Sequence, residues 1–377
     1  MKVLFVSHPA VGHYFQLVQL AWGFRAAGHD VIVAIADYAE TAAKAGLEVV
    51  DVAPDFDLPT IAERVNRDHP EMAEAMSRPL DNNVEAFAPG LAAVNRELME
   101  RTIALADDWK PDLVVYDQPT TVGLFVAGRL GVPAIQRNLG SNRTKRMHPA
   151  IAGYLADFVE KYGIDLPEPA LTIELFPPSM LLFEPEGWFM RWVSYSGGGV
   201  LGDRLPQPPP DRPRVAITFG TAELQALGVE SLSPLLTAAG EVEAEFVLAV
   251  GDLDLSPLGT LPPNVRPVGW TPMYALLRTC AAVVHHGGPA TTMTALEIGI
   301  PQLAARNTMD PMQYGIIQAI ETSGIGLQHD RSTMDAEVLS RLVWEPSLRE
   351  RIAEVRAEML ALPTPAATVA RIERELF

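Results

Sequence analysis

Cysteine is nearly absent from this 377-residue chain: a lone Cys280 allows neither an intramolecular disulfide nor a cysteine-based metal site, and suits a reducing, intracellular compartment. Basic residues are also scarce, 29 against 47 acidic ones, giving a formal charge of −18 and an isoelectric point near 4.8. Without a broad basic surface, nucleic acid and anionic membranes are poor partners. No apolar run reaches the ~20 residues of a membrane span. Met1-Lys2 leads directly into Val3-Leu4-Phe5-Val6, too short and unflanked for a signal peptide, so the expectation is a cytoplasmic protein without stable membrane insertion. Neither a G-x-G-x-x-G nor a G-x-x-x-x-G-K-[ST] pattern falls on a strand-to-helix turn, which weighs against nicotinamide and nucleotide-hydrolase chemistry. His69, His148 and His329 lack metal-ligand spacing and read as surface residues, and no metal or cofactor is expected.

What is present is a globular composition, 48% hydrophobic and 20% charged, over a length comfortable for two domains. Short apolar runs at 2–7, 30–35, 48–52, 112–116 and 134–136 alternate with helical patterns at 15–27, 91–107 and 121–130, a βαβ rhythm that implies a parallel sheet. The interval 54–89, rich in Pro, Asp and Asn, predicts loops and short helices over a cleft, and 167–189 is a second irregular zone. After Pro206-Gln207-Pro208-Pro209-Pro210 the rhythm restarts, with strands at 214–219, 245–250, 265–268, 282–285 and 302–304 and helices at 233–240, 272–279 and 289–298. The expected fold class is α/β, two Rossmann-like domains in series: 1–204, a linker at 205–213, 214–360, and a last helical segment at 361–377.

The densest chemistry lies in Ala282-Val283-Val284-His285-His286-Gly287-Gly288-Pro289-Ala290-Thr291-Thr292, an apolar strand running through two histidines and two glycines into a helix. Glycine permits close approach of a ligand, Pro289 suits the first helical position, and the amides of Ala290, Thr291 and Thr292 would face an anion at the helix's positive end. A plain βα turn would use the same glycines and threonines for tightness and capping.

Three features then follow in order: Val268-Gly269-Trp270-Thr271-Pro272, His285-His286-Gly287-Gly288, and Asp310 with Gln313. Together they resemble the nucleotide-sugar signature of the family 1 glycosyltransferases of GT-B fold. In the first half Gly12-His13 resembles that family's catalytic-histidine loop, and Asp117, after Asp112-Leu113-Val114-Val115-Tyr116, its aspartate partner. The texture is similar to actinobacterial deoxysugar transferases of polyketide antibiotics, and Asp51-Val52-Ala53-Pro54, the run 186–193 and Gly251-Asp252-Leu253-Asp254 resemble the enediyne, calicheamicin-type subgroup.

The resemblance implies domains facing each other across a cleft, acceptor-binding first and donor-binding second, with the last helix returning to the first. It implies inverting transfer from a TDP-sugar, a UDP-sugar being the alternative, to a small hydrophobic aglycone or its glycoside. His13 would be the base and Asp117 its partner; His8, followed by Pro9, is a rival without a preceding glycine. His286, Gly287, Gly288, Thr291 and Thr292 would hold the diphosphate, with Gly220 and Thr221 from another strand end and His285 as turn support. Trp270 would stack on the base, and Asp310 and Gln313 would hold the sugar.

Three positions depart from the pattern: Pro311 stands beside Asp310 in place of glutamine, Ala290 replaces a glycine, and Gln16 replaces a proline. Proline offers no side-chain donor and no N–H, so one sugar hydroxyl goes unread, which suits a deoxysugar. Phe56, Met72, Met76, Phe87 and Met147 are candidate acceptor contacts, although methionine equally fills cores. The same features leave open a C-glycosyltransferase on an aromatic polyketide, a GT-B sugar-nucleotide epimerase and a non-catalytic sugar-nucleotide-binding helper. They do not distinguish monomer from homodimer.

Overall fold

Val3, Leu4, Phe5 and Val6 are wholly buried because β1 (Lys2–Val6) runs through the middle of a parallel sheet, between β2 (Asp30–Ile35) and β4 (Leu113–Asp117). A strand covered on both faces has no polar side, hence the continuous apolar run. In the computed structural model the described residues are 1–72, 84–138, 140, 145–199, 212–220, 224, 227–306 and 311–377. They form two units, Met1–Pro177 with Leu181–Tyr195 and Leu362–Phe377, and Pro178–Met180 with Ser196–Ala361. The division thus falls at Tyr195/Ser196, and most of the expected linker at 205–213 lies outside the described residues.

The first unit's sheet has the order β3-β2-β1-β4-β5-β6-β7, with β3 at Glu48–Asp51, β5 at Ala134–Arg137, β6 at Leu171–Glu174 and β7 at Trp188–Phe189. Each pairing is parallel. Helices α1 (Val11–Ala26), α2 (Ala39–Ala43), α3 (Leu58–Asp68), α4 (Ala88–Trp109), α5 (Val122–Leu130), α6 (Met147–Gly153) and α7 (Ala156–Tyr162) connect the strands. Strands β6 and β7 lie inside the zone 167–189 that sequence marks as irregular; their shortness and the surrounding prolines hide the period-2 signal.

The second unit repeats the arrangement as β10-β9-β8-β11-β12-β13, again parallel throughout. Its strands are β8 (Arg214–Thr218), β9 (Glu245–Ala249), β10 (Val265–Val268), β11 (Ala282–His285), β12 (Gln302–Arg306) and β13 (Gly326–Asp330). Its helices are α8 (Ser233–Gly240), α9 (Met273–Leu277), α10 (Pro289–Ile298), α11 (Pro311–Thr322), α12 (Ala336–Trp344) and α13 (Pro346–Ala361). The final helix α14 (Pro365–Leu376) belongs to the first unit and packs on α1. Gly23 makes that approach possible, since a Cβ there would lie 3.2 Å from Val369. In each sheet the strand order reverses once, between β1 and β4 and between β8 and β11. Crevices at such switch points are where open α/β sheets hold ligands.

Candidate active site

At the first switch point, α1 begins at Val11, so His13 lies within its first turn rather than on a loop ahead of a helix starting at 15. The register Val6↔Tyr116 brings Asp117, the last residue of β4, beside the segment leaving β1. His13 Nδ1 meets Asp117 Oδ2 at 2.8 Å, with the carboxylate fully buried and the imidazole 26% exposed. The carboxylate also accepts from the main-chain N–H of His8 at 3.2 and 3.3 Å and from the Thr120 hydroxyl, and Arg137 Nη2 stands 3.7 Å away. Burial alone would push the Asp117 carboxyl upward; the His13 hydrogen bond and the positive charge gathered beside it, that of Arg137 included, outweigh it and hold the group down at about 2. An anionic carboxylate only accepts, so Nδ1 of His13 carries a proton and Nε2 is the ring nitrogen turned away from Asp117. His8 is displaced from the role of base: only its main chain reaches Asp117, and its ring lies against that of His13 at 4.8 Å between centroids. Burial, then the neighbouring His13, lowers the His8 ring to about 3.

At the second switch point His285 ends β11 and serves the turn itself. Its Nδ1 accepts from Gly287 N–H at 3.1 Å, leaving Nε2 to donate to Gln302 Oε1 at 2.9 Å. Burial, then His286, lowers it to about 3. Gly287 adopts φ +93°, and a Cβ there would lie 2.6 Å from Ile317 of α11, so the position admits only glycine. The His286 ring sits between two further glycines: a Cβ would come 2.6 Å from its Nε2 at Gly288 and 3.4 Å from its Cε1 at Gly220. Burial, then the charge of Arg331, lowers His286 to about 4 and keeps it neutral. Arg331 itself is buried, its guanidinium 4.7 Å over the ring of Phe219.

Of the α10 amides, those of Ala290 and Thr291 remain as first-turn donors, because the Thr292 N–H bonds to Gly288 O at 3.0 Å. The Thr292 hydroxyl also donates to Gly288 O, and the residue is fully buried. Thr292 is therefore a turn brace rather than a diphosphate contact, because its donors are spent on the main chain. Trp270 follows β10 and is 60% exposed, so it is no core residue. Gln313, in the first turn of α11, stands 3.9 Å from where a Gly287 Cβ would be. Thr221 and Asp310 lie outside the described residues.

The same chain matches two domain models, "Erythromycin biosynthesis protein CIII-like, N-terminal domain" over residues 22–220 and the corresponding C-terminal domain over 233–375. The chain belongs to this family. The elloramycin glycosyltransferase ElmGT of Streptomyces olivaceus is 36% identical to the CIII-like chain over 99% of it and 97% of the relative. The crystal structure of the glycosyltransferase SnogD from Streptomyces nogalater superposes with a TM-score of 0.84 at 33% identity, covering 100% and 99% of the two chains. The glycosyltransferase SsfS6 of Streptomyces sp. SF2575, complexed with thymidine diphosphate, superposes with a TM-score of 0.79 at 30% identity over 99% of each chain. The CIII-like chain is a glycosyltransferase of GT-B fold.

Around the expected acceptor region several assignments change. Met72, Phe87 and Met147 are buried, and Met72 and Val65 of α3 both lie against Gly90 of α4. These three supply packing; Phe56 is half-buried, and Met76 lies outside the described residues. His148 is buried, not a surface residue. It bonds to Thr121 Oγ1 at 2.9 Å and Gln136 Oε1 at 2.6 Å. It lines a cavity of about 560 Å³ with Leu124, Thr172, Glu186 and Trp188. Sequence reasoning missed Arg137 and Arg331, which depend on how distant strands are placed side by side, and the ring contact of His8 with His13, which depends on the conformation of the β1–α1 turn. Among the described residues no group of three or more His, Cys, Asp or Glu side chains is set to hold a metal, and no helix is long and apolar enough to cross a membrane.

Proposed function

We propose that this CIII-like glycosyltransferase moves a deoxysugar from a TDP-sugar to a hydroxyl of a small apolar polyketide aglycone or its glycoside, inverting the anomeric carbon. The observation that carries the reading is the 2.8 Å bond from His13 Nδ1 to buried, anionic Asp117, which leaves Nε2 as the acceptor for a proton. As the acceptor oxygen forms its bond to the anomeric carbon, its proton passes to Nε2 of His13. The anomeric C–O bond to phosphate breaks and its electron pair leaves with TDP. Asp117 stabilises the imidazolium that results.

The diphosphate is held at the His286 turn. Neutral His286 and the amides of Ala290 and Thr291 supply fixed donors, the positive end of α10 adds its dipole, and Gly287 and Gly288 let the phosphates approach. These donors support transfer without a metal or cofactor. Gly220 and Thr221 complete that side, exposed Trp270 stacks on the pyrimidine, and Gln313 with Asp310 meets the sugar. Thymidine diphosphate in the related SsfS6 supports TDP over UDP. An enediyne-type acceptor rests on resemblance alone, and action in the cytoplasm on the single cysteine, Cys280. A sugar-nucleotide epimerase would have no acceptor proton for the His13–Asp117 pair to take.

Calorimetric titration of the full chain and of His286→Ala with TDP, UDP and UMP tests the donor site. TDP binding that weakens at least about tenfold in the variant supports it; absence of any nucleoside diphosphate binding overturns it.

A further inference from the structure

The Arg137 guanidinium takes no part in the scheme above, yet it lies wholly buried behind the His13–Asp117 pair. Arg137 ends β5 in register with Asp117 of β4, so both side chains leave the sheet on the same face. Its Nη1 donates to Gln16 Oε1 at 3.0 Å. Its Nη2 donates to the His13 carbonyl at 3.5 Å and stands 3.7 Å from Asp117 Oδ2, the oxygen that holds His13. Gln16, also buried, turns its Nε2–H to the Gly12 carbonyl at 2.9 Å. One cation thus reaches two consecutive carbonyls of the first turn of α1, that of His13 directly and that of Gly12 through Gln16.

A buried guanidinium is unfavourable unless its surroundings use the charge. Here the use is local. Asp117 must be anionic while His13 is still neutral, so the carboxylate needs a partner cation that does not come and go with the reaction. Arg137 is that cation, the other nearby titratable groups being His8 and His148, both kept neutral by burial. We propose that Arg137, held by Gln16, is a positioning residue that fixes the first turn of α1 against Asp117 and balances its charge, keeping the His13 Nδ1–H on the carboxylate and Nε2 aimed outward. The inference rests on the reading of His13 as the base.

The test is proton NMR of the full chain at neutral pH, following the downfield signal of an imidazole N–H held on a carboxylate, assigned by its loss in His13→Ala. The signal is expected in the unsubstituted chain, broadened or lost in Arg137→Met and Gln16→Met, and largely restored in Arg137→Lys. Transfer from a TDP-sugar is expected to fall about tenfold in kcat with donor KM unchanged. Gln16→Met keeps the buried cation and so remains a folded test should Arg137→Met fail to fold. An unaltered signal in a folded Gln16→Met or Arg137→Met overturns the proposal, as does its absence from the unsubstituted chain. Loss of the signal with an unchanged transfer rate supports the positioning and removes instead the assignment of His13 as base.

Discussion

Asp117 collects a ring N–H, a main-chain N–H, a hydroxyl and a nearby guanidinium around one buried carboxylate. Those partners fix both its charge and the tautomer of His13, so the two residues should fail together. His13→Ala should lower the transfer rate on the order of 10²–10⁴-fold while leaving the calorimetric TDP affinity unchanged. Asp117→Asn should approach the same loss, because a neutral amide no longer stabilises an imidazolium; an Asp117→Asn enzyme with undiminished kcat would contradict the pairing. His13 was legible because Gly12-His13 resembles the family's histidine loop, and Asp117 because the apolar run it ends resembles the segment that carries the family's aspartate. Gln16 stood out only as a departure. Its meeting with Arg137 depends on where β5 falls beside β4, which no local pattern encodes.

Elements owe their chemistry to turns that admit few side chains. In the β11–α10 turn, Gly288 leaves room for the His286 ring, whereas Gly287 carries the left-handed backbone and the contact with α11. The two glycines should therefore separate by experiment. Gly288→Ala should displace the ring and weaken TDP binding about tenfold or more by calorimetry, with little change in the urea midpoint. Gly287→Ala should cost about 1–3 kcal/mol of stability in urea unfolding, from backbone strain with overpacking against Ile317. The motif spacing predicted a glycine turn opening a helix after β11, but not that Thr292 spends both its donors on Gly288, nor that α1 starts early enough to hold His13 in its first turn.

For the whole molecule, buried imidazoles make stability depend on pH. His148 and His286 are lowered to about 4 and His285 to about 3, each chiefly by burial, against an ordinary value of 6.5. The unfolded chain therefore binds their protons first, below about 6.5. Their contribution is complete above that value and is lost as pH falls towards 4 and below, by up to about 1.4 kcal/mol per pH unit for each ring. The urea midpoint should fall between pH 7 and pH 5, and a midpoint flat across that range would show that these rings are not held neutral. The C-terminal helix is a second whole-molecule dependence. Ile372, fully buried on α14, should cost about 2–4 kcal/mol when cut to alanine, read as a lower urea midpoint of the full chain.

Sequence by itself determined the parallel α/β class and the two Rossmann-like halves, and through its resemblance to a family it singled out His13 as the candidate base and the histidine-glycine turn as the candidate donor site. Those properties reside in local periodicity and in residues that act where a strand ends. Tertiary structure alone decided which methionines are packing, that His148 is buried, and that a guanidinium backs the dyad. Each of these depends on strand register and on helices meeting across a sheet. Such contacts join residues far apart in the chain, and composition and spacing leave no trace of which will meet.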